Sequence, residues 1–303
     1  MPSILTHYYF IKDTNKENIP FLENEEKACL LGAQGVDPFY YYGNILNRFN
    51  KGDVNNFAKH IHLKECASLY IHFIKEANKL NKEHKDLVYS YIYGLLNHYT
   101  LDKNTHPYII YKTGVKGDFI TNHQKFETEL DVLFKAKRND LIHPKNAIKV
   151  DEVTLEIISK IYYSYSLENN FNLEEDTFIK AYKDMYNSQR ILYSSNGFKK
   201  AFFNTFFKNT KANALSYPKR VNPEIDYLNE KKNLWQYPHR NFKLSFSFNE
   251  LLDLANKDFN KLSKILLNAY NNLEFEKDLI KFINNINHNG TLPEDELLYS
   301  EVN

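Results

Sequence analysis

This chain is short of the residues that break or brace a fold. Its 303 residues include only 9 glycines and 9 prolines, which argues against an all-β or Gly-rich α/β architecture. Its two cysteines, Cys29 and Cys66, stand far apart without metal-type spacing, so they read as buried thiols in a reducing compartment rather than a disulfide. No stretch approaches the ~20 apolar residues of a membrane span. The opening Met1-Pro-Ser-Ile-Leu-Thr-His-Tyr-Tyr-Phe lacks the basic region and long apolar run of a secretory signal. A cytoplasmic location is therefore expected. Charge of one sign is lacking too. The 39 basic and 38 acidic residues leave a net +1, and no global field pulls the chain to nucleic acid or to a membrane.

What is present is a succession of helical patterns. The chain has 23 Tyr and 22 Phe beside many Asn and Lys, a bias most simply read as coding composition. Helices are expected over 24–34, 54–79, about 84–103, and from Thr121 or Asn122 onward. Val36-Asp37-Pro38 should break the first, since Pro38 pushes Asp37 out of the α region. The third should stop before Pro107 and leave His106 on a loop. Further helices are expected at 151–166, 174–190, 196–208, 248–271 and 274–287, with Asp151 and Asn249 as start signals. Residues 209–247 hold Pro218, Pro223, Pro238 and Trp235 and read as irregular. Leu244 to Phe248 alternates like a strand, too briefly to make a sheet. The expected class is all-α, a multi-helix bundle, with residues 1–150 as a metal-binding helical domain. Residues 151–303 would be a helical C-terminal part packed on it as one unit.

The metal expectation comes from spacing. Leu96-Asn-His98-Tyr-Thr-Leu-Asp102-Lys-Asn-Thr-His106-Pro107 offers three ligand types at four-residue steps, and on a helix His98 and Asp102 share a face. His123 and Glu127 repeat the step. Nine of the 11 histidines fall between His7 and His143. Imidazoles with hard carboxylates suit zinc in an open, catalytic site better than in a closed structural one. Asp37 sits at a tight Gly35-Val-Asp-Pro38 turn, and His60 and His62 compete for one role, since two helical positions point different ways. His72 and His84 read as exposed, His143 as a helix-end residue, and His239 and His288 as residues without ligand neighbours. Asp131 reads as a surface residue or one supporting a ligand, and Asn97 as a candidate to orient one.

Taken in order, His7, Gly-Val-Asp37-Pro, Ile-His62, His98-x3-Asp102-x3-His106-Pro-Tyr and His123-x3-Glu127 resemble the zinc-dependent phospholipase C family, whose wider fold includes single-strand-specific zinc nucleases. The likeness is nearest to small bacterial members without a signal peptide. The motif likeness covers about residues 1–145, and the Trp235 to Leu251 segment is similar to later parts of such proteins. The resemblance implies an all-helical domain with two or three Zn2+ ions. Asp37, His62, His98 and Asp102 would hold one ion, and His106, His123 and Glu127 a second. Asp102 would bridge to a third that His7 helps bind. Secreted members add their processed amino terminus at that third site; here removal of Met1 would free Pro2. Family spacing favours His62 over His60.

The implied activity is phosphodiester hydrolysis of phospholipase C type, in which metal-activated water attacks phosphorus and Asp37 serves as general base or only as ligand. The implied substrate is a phospholipid or other phosphodiester, with transient contact to a membrane surface. The alternatives are a single-strand nuclease-like phosphodiesterase, which near-neutral charge disfavours, and a non-catalytic metal-stabilised binding or scaffold protein. No stable nucleic-acid partner is expected, and the oligomeric state is not legible. Phe198-Lys-Lys-Ala-Phe-Phe-Asn-Thr-Phe-Phe-Lys208 could meet a lipid interface, but more simply reads as an amphipathic helix with its Phe side buried.

Overall fold

The computed structural model describes residues 4–302 apart from 15, 17, 24, 44–51, 65 and 209. The Pro2 amine raised above lies outside these residues. Fourteen α-helices, one 3-10 turn and one two-stranded ribbon make up the described chain. The fold is all-α. The ribbon pairs β1 (Trp235–Gln236) antiparallel with β2 (Lys243–Leu244), setting Trp235 opposite Leu244. Among the described residues no helix is long and apolar enough to cross a membrane.

The centre of the molecule is α6, Lys82–Thr113, started by the Asn81 side chain accepting from the His84 N–H. From Leu87 to Asp102 it is buried on every side, as a helix enclosed by other elements must be. Around it pack α1 (Ile4–Asp13), α2 (Glu26–Gly32), α5 (Cys66–Ala77), α7 (Phe119–Arg138) and α13 (Phe248–Tyr270). One apolar cluster gathers Leu31, Phe57, Phe73, Tyr91 and Phe259; a second gathers Leu5, Tyr108, Leu130, Trp235 and Phe248. Along α6, Tyr99 belongs to the first and Tyr108 to the second. Asp102 and His106 lie between these two residues along the helix.

The long helix corrects the sequence reading. It does not stop before Pro107 but carries that proline inside it. An interior proline costs about 3 kcal/mol. The turn beyond it buries Tyr108, Ile109 and Ile110, each worth roughly 1.5–3 kcal/mol, so tertiary burial outweighs the local penalty. His106 is consequently a helical residue rather than a loop residue.

Four more expectations change. Pro38 does not push Asp37 out of the α region, since Asp37 holds φ −60° and ψ −31°. The helix over 54–79 is two helices, α4 (Gly52–Leu63) and α5, with a turn at Lys64. The start signal of α13 is Ser247, not Asn249: its hydroxyl accepts from the Glu250 N–H while the Glu250 carboxylate accepts from the Ser247 N–H, a reciprocal capping box. Helix α11 (Phe198–Phe206) keeps only Phe203 buried, and leaves Phe198, Phe202, Phe206 and the following Phe207 exposed. The Phe side of that segment faces out. Helices that follow the periodicity include α9 (Glu152–Glu168), whose Asp151 cap accepts from Thr154 N–H, α10 (Thr177–Leu192) and α14 (Glu276–Ile283), whereas α1, the short helices at Pro38–Tyr41 and Pro144–Ala147, and α12 (Lys211–Ala214) inside the stretch read as irregular fall outside every expected helix.

Candidate metal centre

One carboxylate organises the site. Asp102, on α6, meets two imidazoles at each oxygen. Its Oδ1 lies 3.3 Å from His7 Nε2 and 3.4 Å from His106 Nε2. Its Oδ2 lies 3.1 Å from His98 Nε2 and 3.5 Å from His62 Nε2. The four-residue steps along α6 supply His98 and His106, α1 supplies His7, and α4 supplies His62. Beside them Glu127 Oε1 on α7 lies 3.0 Å from His123 Nε2 and 3.3 Å from His106 Nε2. Apart from His123, which is half-buried, these side chains are buried.

Local structure explains why these groups converge. Asp131, one turn after Glu127, accepts hydrogen bonds from the Leu5 and Thr6 N–H groups, the Thr6 hydroxyl and the Tyr217 hydroxyl. It thereby satisfies otherwise open donors of the first turn of α1 and fixes the helix that carries His7. Asp131 is fully buried, not a surface residue. Gly35 has φ +59°, and a Cβ there would collide with the His98 ring; the turn before Asp37 has room for that imidazole only because the residue is glycine. His98 Nδ1 lies 3.3 Å from the Ala33 carbonyl. A carbonyl only accepts, so Nδ1 carries the proton; Asp102 also only accepts, so Nε2 faces it across either a second proton or a metal ion.

Asp37 sits just before α3 (Pro38–Tyr41), 1% exposed, with neither carboxylate oxygen hydrogen-bonded. Its charge acts on His7, His62 and His98, yet it stands outside the groups whose donor atoms lie mutually within 4.8 Å. Those are His7, His98 and Asp102; His106, His123 and Glu127; and His62, His98 and His288.

The charges of the cluster are mutually dependent. Burial acts to raise the Asp102 carboxyl, but His106, His98, His62 and His7 outweigh it and hold the carboxyl well below its ordinary range. Burial likewise opposes ionisation of Glu127, and His123 and His106 overcome it. Burial lowers His7, His62 and His123. In His98 and His106 burial is overcome, above all by Asp102, and both are raised. His7 Nδ1, His62 Nε2, His98 Nε2, His106 Nδ1 and both Asp37 oxygens are buried without a hydrogen bond. Imidazole nitrogens and carboxylate oxygens that meet in a dry interior need a proton or a metal cation between them. Imidazole and carboxylate donors so placed fit zinc.

Other histidines fall differently from the sequence reading. His72 is buried rather than exposed. Its Nδ1 lies 3.0 Å from Glu168 and its Nε2 2.9 Å from the Ser164 hydroxyl. Ser164 sits inside α9 and also donates to the Ile161 carbonyl, where helical N–H groups are already used, so the trio ties α5 to α9 and has no oxyanion donors. His60 lies against Phe171, ring centroids 5.1 Å apart. Asn97 is fully buried with neither amide atom hydrogen-bonded. His288 was read as a residue without ligand neighbours; it is stacked on His62 with centroids 4.3 Å apart. No local spacing signals it.

On the surface, a cavity of about 520 Å3 opens beside the first turn of α7, which carries His123. Lys125, Lys200, Lys208 and Lys219 line it with Thr121 and Asn122. Burial, and then the charge of Lys125, push the Lys200 ammonium down to about 8. The exposed phenylalanines of α11 adjoin two of these lysines, Lys200 and Lys208, in sequence.

An all-helical protein that gathers imidazoles and carboxylates in its interior belongs to the class built to hold metal ions. Residues 5–217 match the family model described as zinc dependent phospholipase C, and the chain belongs to that family. No curated protein and no solved structure matches it. The family implies zinc as cofactor, hydrolysis as the reaction type and phospholipid as substrate.

Proposed function

We propose that the protein is a zinc-dependent phosphodiester hydrolase that cleaves phospholipids in the manner of a phospholipase C, with two or three ions at the centre. The observation that carries this reading is the Asp102 carboxylate facing two imidazoles at each oxygen, with the His106, His123 and Glu127 group beside it. His62, His98 and Asp102 would hold one ion, His106, His123 and Glu127 another, and His7 with Asp102 a third. When bound, zinc supplies Lewis acidity that lowers the pKa of water and draws charge from phosphoryl oxygens. Asp37, buried with both oxygens bare, is the group to take the proton of the attacking water. The half-buried His123 marks the side by which a phosphate enters, and the four lysines nearby attract its charge.

The exposed phenylalanines of α11 beside those lysines favour a lipid surface over a nucleic acid as the source of the phosphate. Zinc-loaded protein should release head group from phosphatidylcholine, phosphatidylethanolamine or phosphatidylinositol. Asp37→Asn should keep its metal while kcat/KM falls by about 10²–10⁴. Protein that holds zinc yet cleaves none of these lipids would contradict the reading. Chelator-sensitive cleavage of single-stranded nucleic acid alone would transfer it to the nuclease branch.

A further inference from the structure

His288 lies beyond the segment matched to the family, in the turn after α14, and is fully buried. Its ring stacks on His62 at 11° between planes, and its centroid is 5.4 Å from that of His98. Its Nδ1 lies 2.9 Å from the His62 carbonyl oxygen, and the Cys66 sulfur approaches the same nitrogen at 3.5 Å. Because a carbonyl only accepts, Nδ1 carries the proton and Nε2 is left as a bare lone pair. That Nε2 is buried and has no hydrogen bond. One ring nitrogen of each of His288, His62 and His98 lies within 4.8 Å of the other two.

The same pattern recurs at His98, whose Nδ1–H is held by the Ala33 carbonyl. Two of three imidazoles are therefore oriented by backbone carbonyls with their free nitrogens turned inward, as metal-ligating histidines are.

The turn that delivers His288 is built for the purpose. Helix α4 ends at Leu63, so its last carbonyls have no helical partners. The His62 carbonyl accepts the His288 N–H as well as Nδ1–H, and the Leu63 carbonyl accepts the Asn287 side-chain amide. The Asn287 side-chain oxygen Oδ1 in turn accepts from the Asn289 and Thr291 N–H groups and the Thr291 hydroxyl. The Tyr99 hydroxyl donates to the Ile286 carbonyl at 2.8 Å. Gly290, at φ +71°, lets this turn lie against the Lys103 carbonyl and Pro107 ring of α6.

We propose that His288 is a metal ligand, its Nε2 joining His62 and His98 in a three-imidazole site completed by the C-terminal segment. This rests on the metal-binding reading above. It also leaves Asp37 unnecessary as a ligand at that ion.

The test uses the full-length zinc-loaded protein and two variants. His288→Ala removes ring and donor; His288→Phe keeps a stacking ring but has no lone pair. Zinc per chain is counted, and affinity is measured by competition with a chromophoric chelator. Both variants should lose one ion or bind it at least about tenfold more weakly, while the ion at His106, His123 and Glu127 stays. Cobalt-substituted samples should show a changed d–d spectrum. An unchanged count, affinity and spectrum in His288→Phe would overturn the proposal. A zinc-edge anomalous map of the wild-type protein gives the same answer without a variant. A distance of about 2.0–2.1 Å from Nε2 to zinc supports ligation, and a separation well beyond bonding distance rejects it. Wild-type protein that binds no zinc at all would overturn the metal-binding reading itself, a result distinct from zinc bound without His288.

Discussion

At the residue scale, the centre depends on groups that never touch a reacting atom. Asp131 is the clearest: it holds the first turn of α1 and so the helix of His7. Burial, against four donors, pushes its carboxyl up to about 6 from 3.8. A carboxyl whose folded pKa exceeds its unfolded value takes up a proton on folding. Its stabilising contribution is complete below the unfolded value and is lost as pH rises through the folded one. Between pH 4 and 7 the stability of metal-free wild type should therefore fall relative to Asp131→Asn, by at most about 3 kcal/mol. Urea unfolding of both proteins across that range checks it, and a pH-independent difference would contradict it. The i, i+4 spacing made His98, Asp102, His106, His123 and Glu127 legible because neighbours in sequence are neighbours on a helix. His288 was not legible, because only tertiary closure brings it to His62. His72 misled for a related reason: charged neighbours in sequence hid a buried contact with α9.

At the scale of elements, periodicity foretold most helices, and the failures have physical causes. The Pro107 stop signal was real locally and was overridden by burial of the turn beyond it. The split between α4 and α5 carried no proline or glycine to announce it. The α11 reading failed because amphipathicity reports that a helix has an apolar face, not that another element covers it. That face sets an expectation. Replacing Phe198, Phe202 and Phe206 together by Ser should weaken binding to vesicles of phosphatidylcholine with phosphatidylserine by at least about tenfold, since each buried aromatic contributes roughly 1.5–3 kcal/mol. Hydrolysis of a short-chain, monomeric phosphodiester should be unchanged. Sedimentation with vesicles measures the first and head-group release the second; equal binding by variant and wild type would remove α11 from the interface.

For the molecule as a whole, the proposed donors would come from α1, α4, α6 and α7, with His288 in the turn after α14 as a fifth contribution. They meet only in the folded chain, so an ion held by them would bind the native state and scarcely the unfolded one. Ligand at 1,000 times its Kd stabilises by about 4 kcal/mol. Treatment with chelator should lower Tm by several degrees, and added zinc should restore it in calorimetry; an unshifted Tm would mean that the folded chain does not bind the ion selectively.

The passage of α6 straight through Pro107 has a last consequence. Because His98, Asp102 and His106 ride one unbroken helix, the advance from each to the next is about 6 Å and the rotation about 40°, whatever surrounds them. The centre thus has a built-in ruler, set by the backbone hydrogen bonds of the folded helix. Lengthening that ruler by a single residue would swing everything beyond the insertion by about 100°, taking the later donors off the shared face. In this stretch, chain length is as much a part of the chemistry as the side chains are.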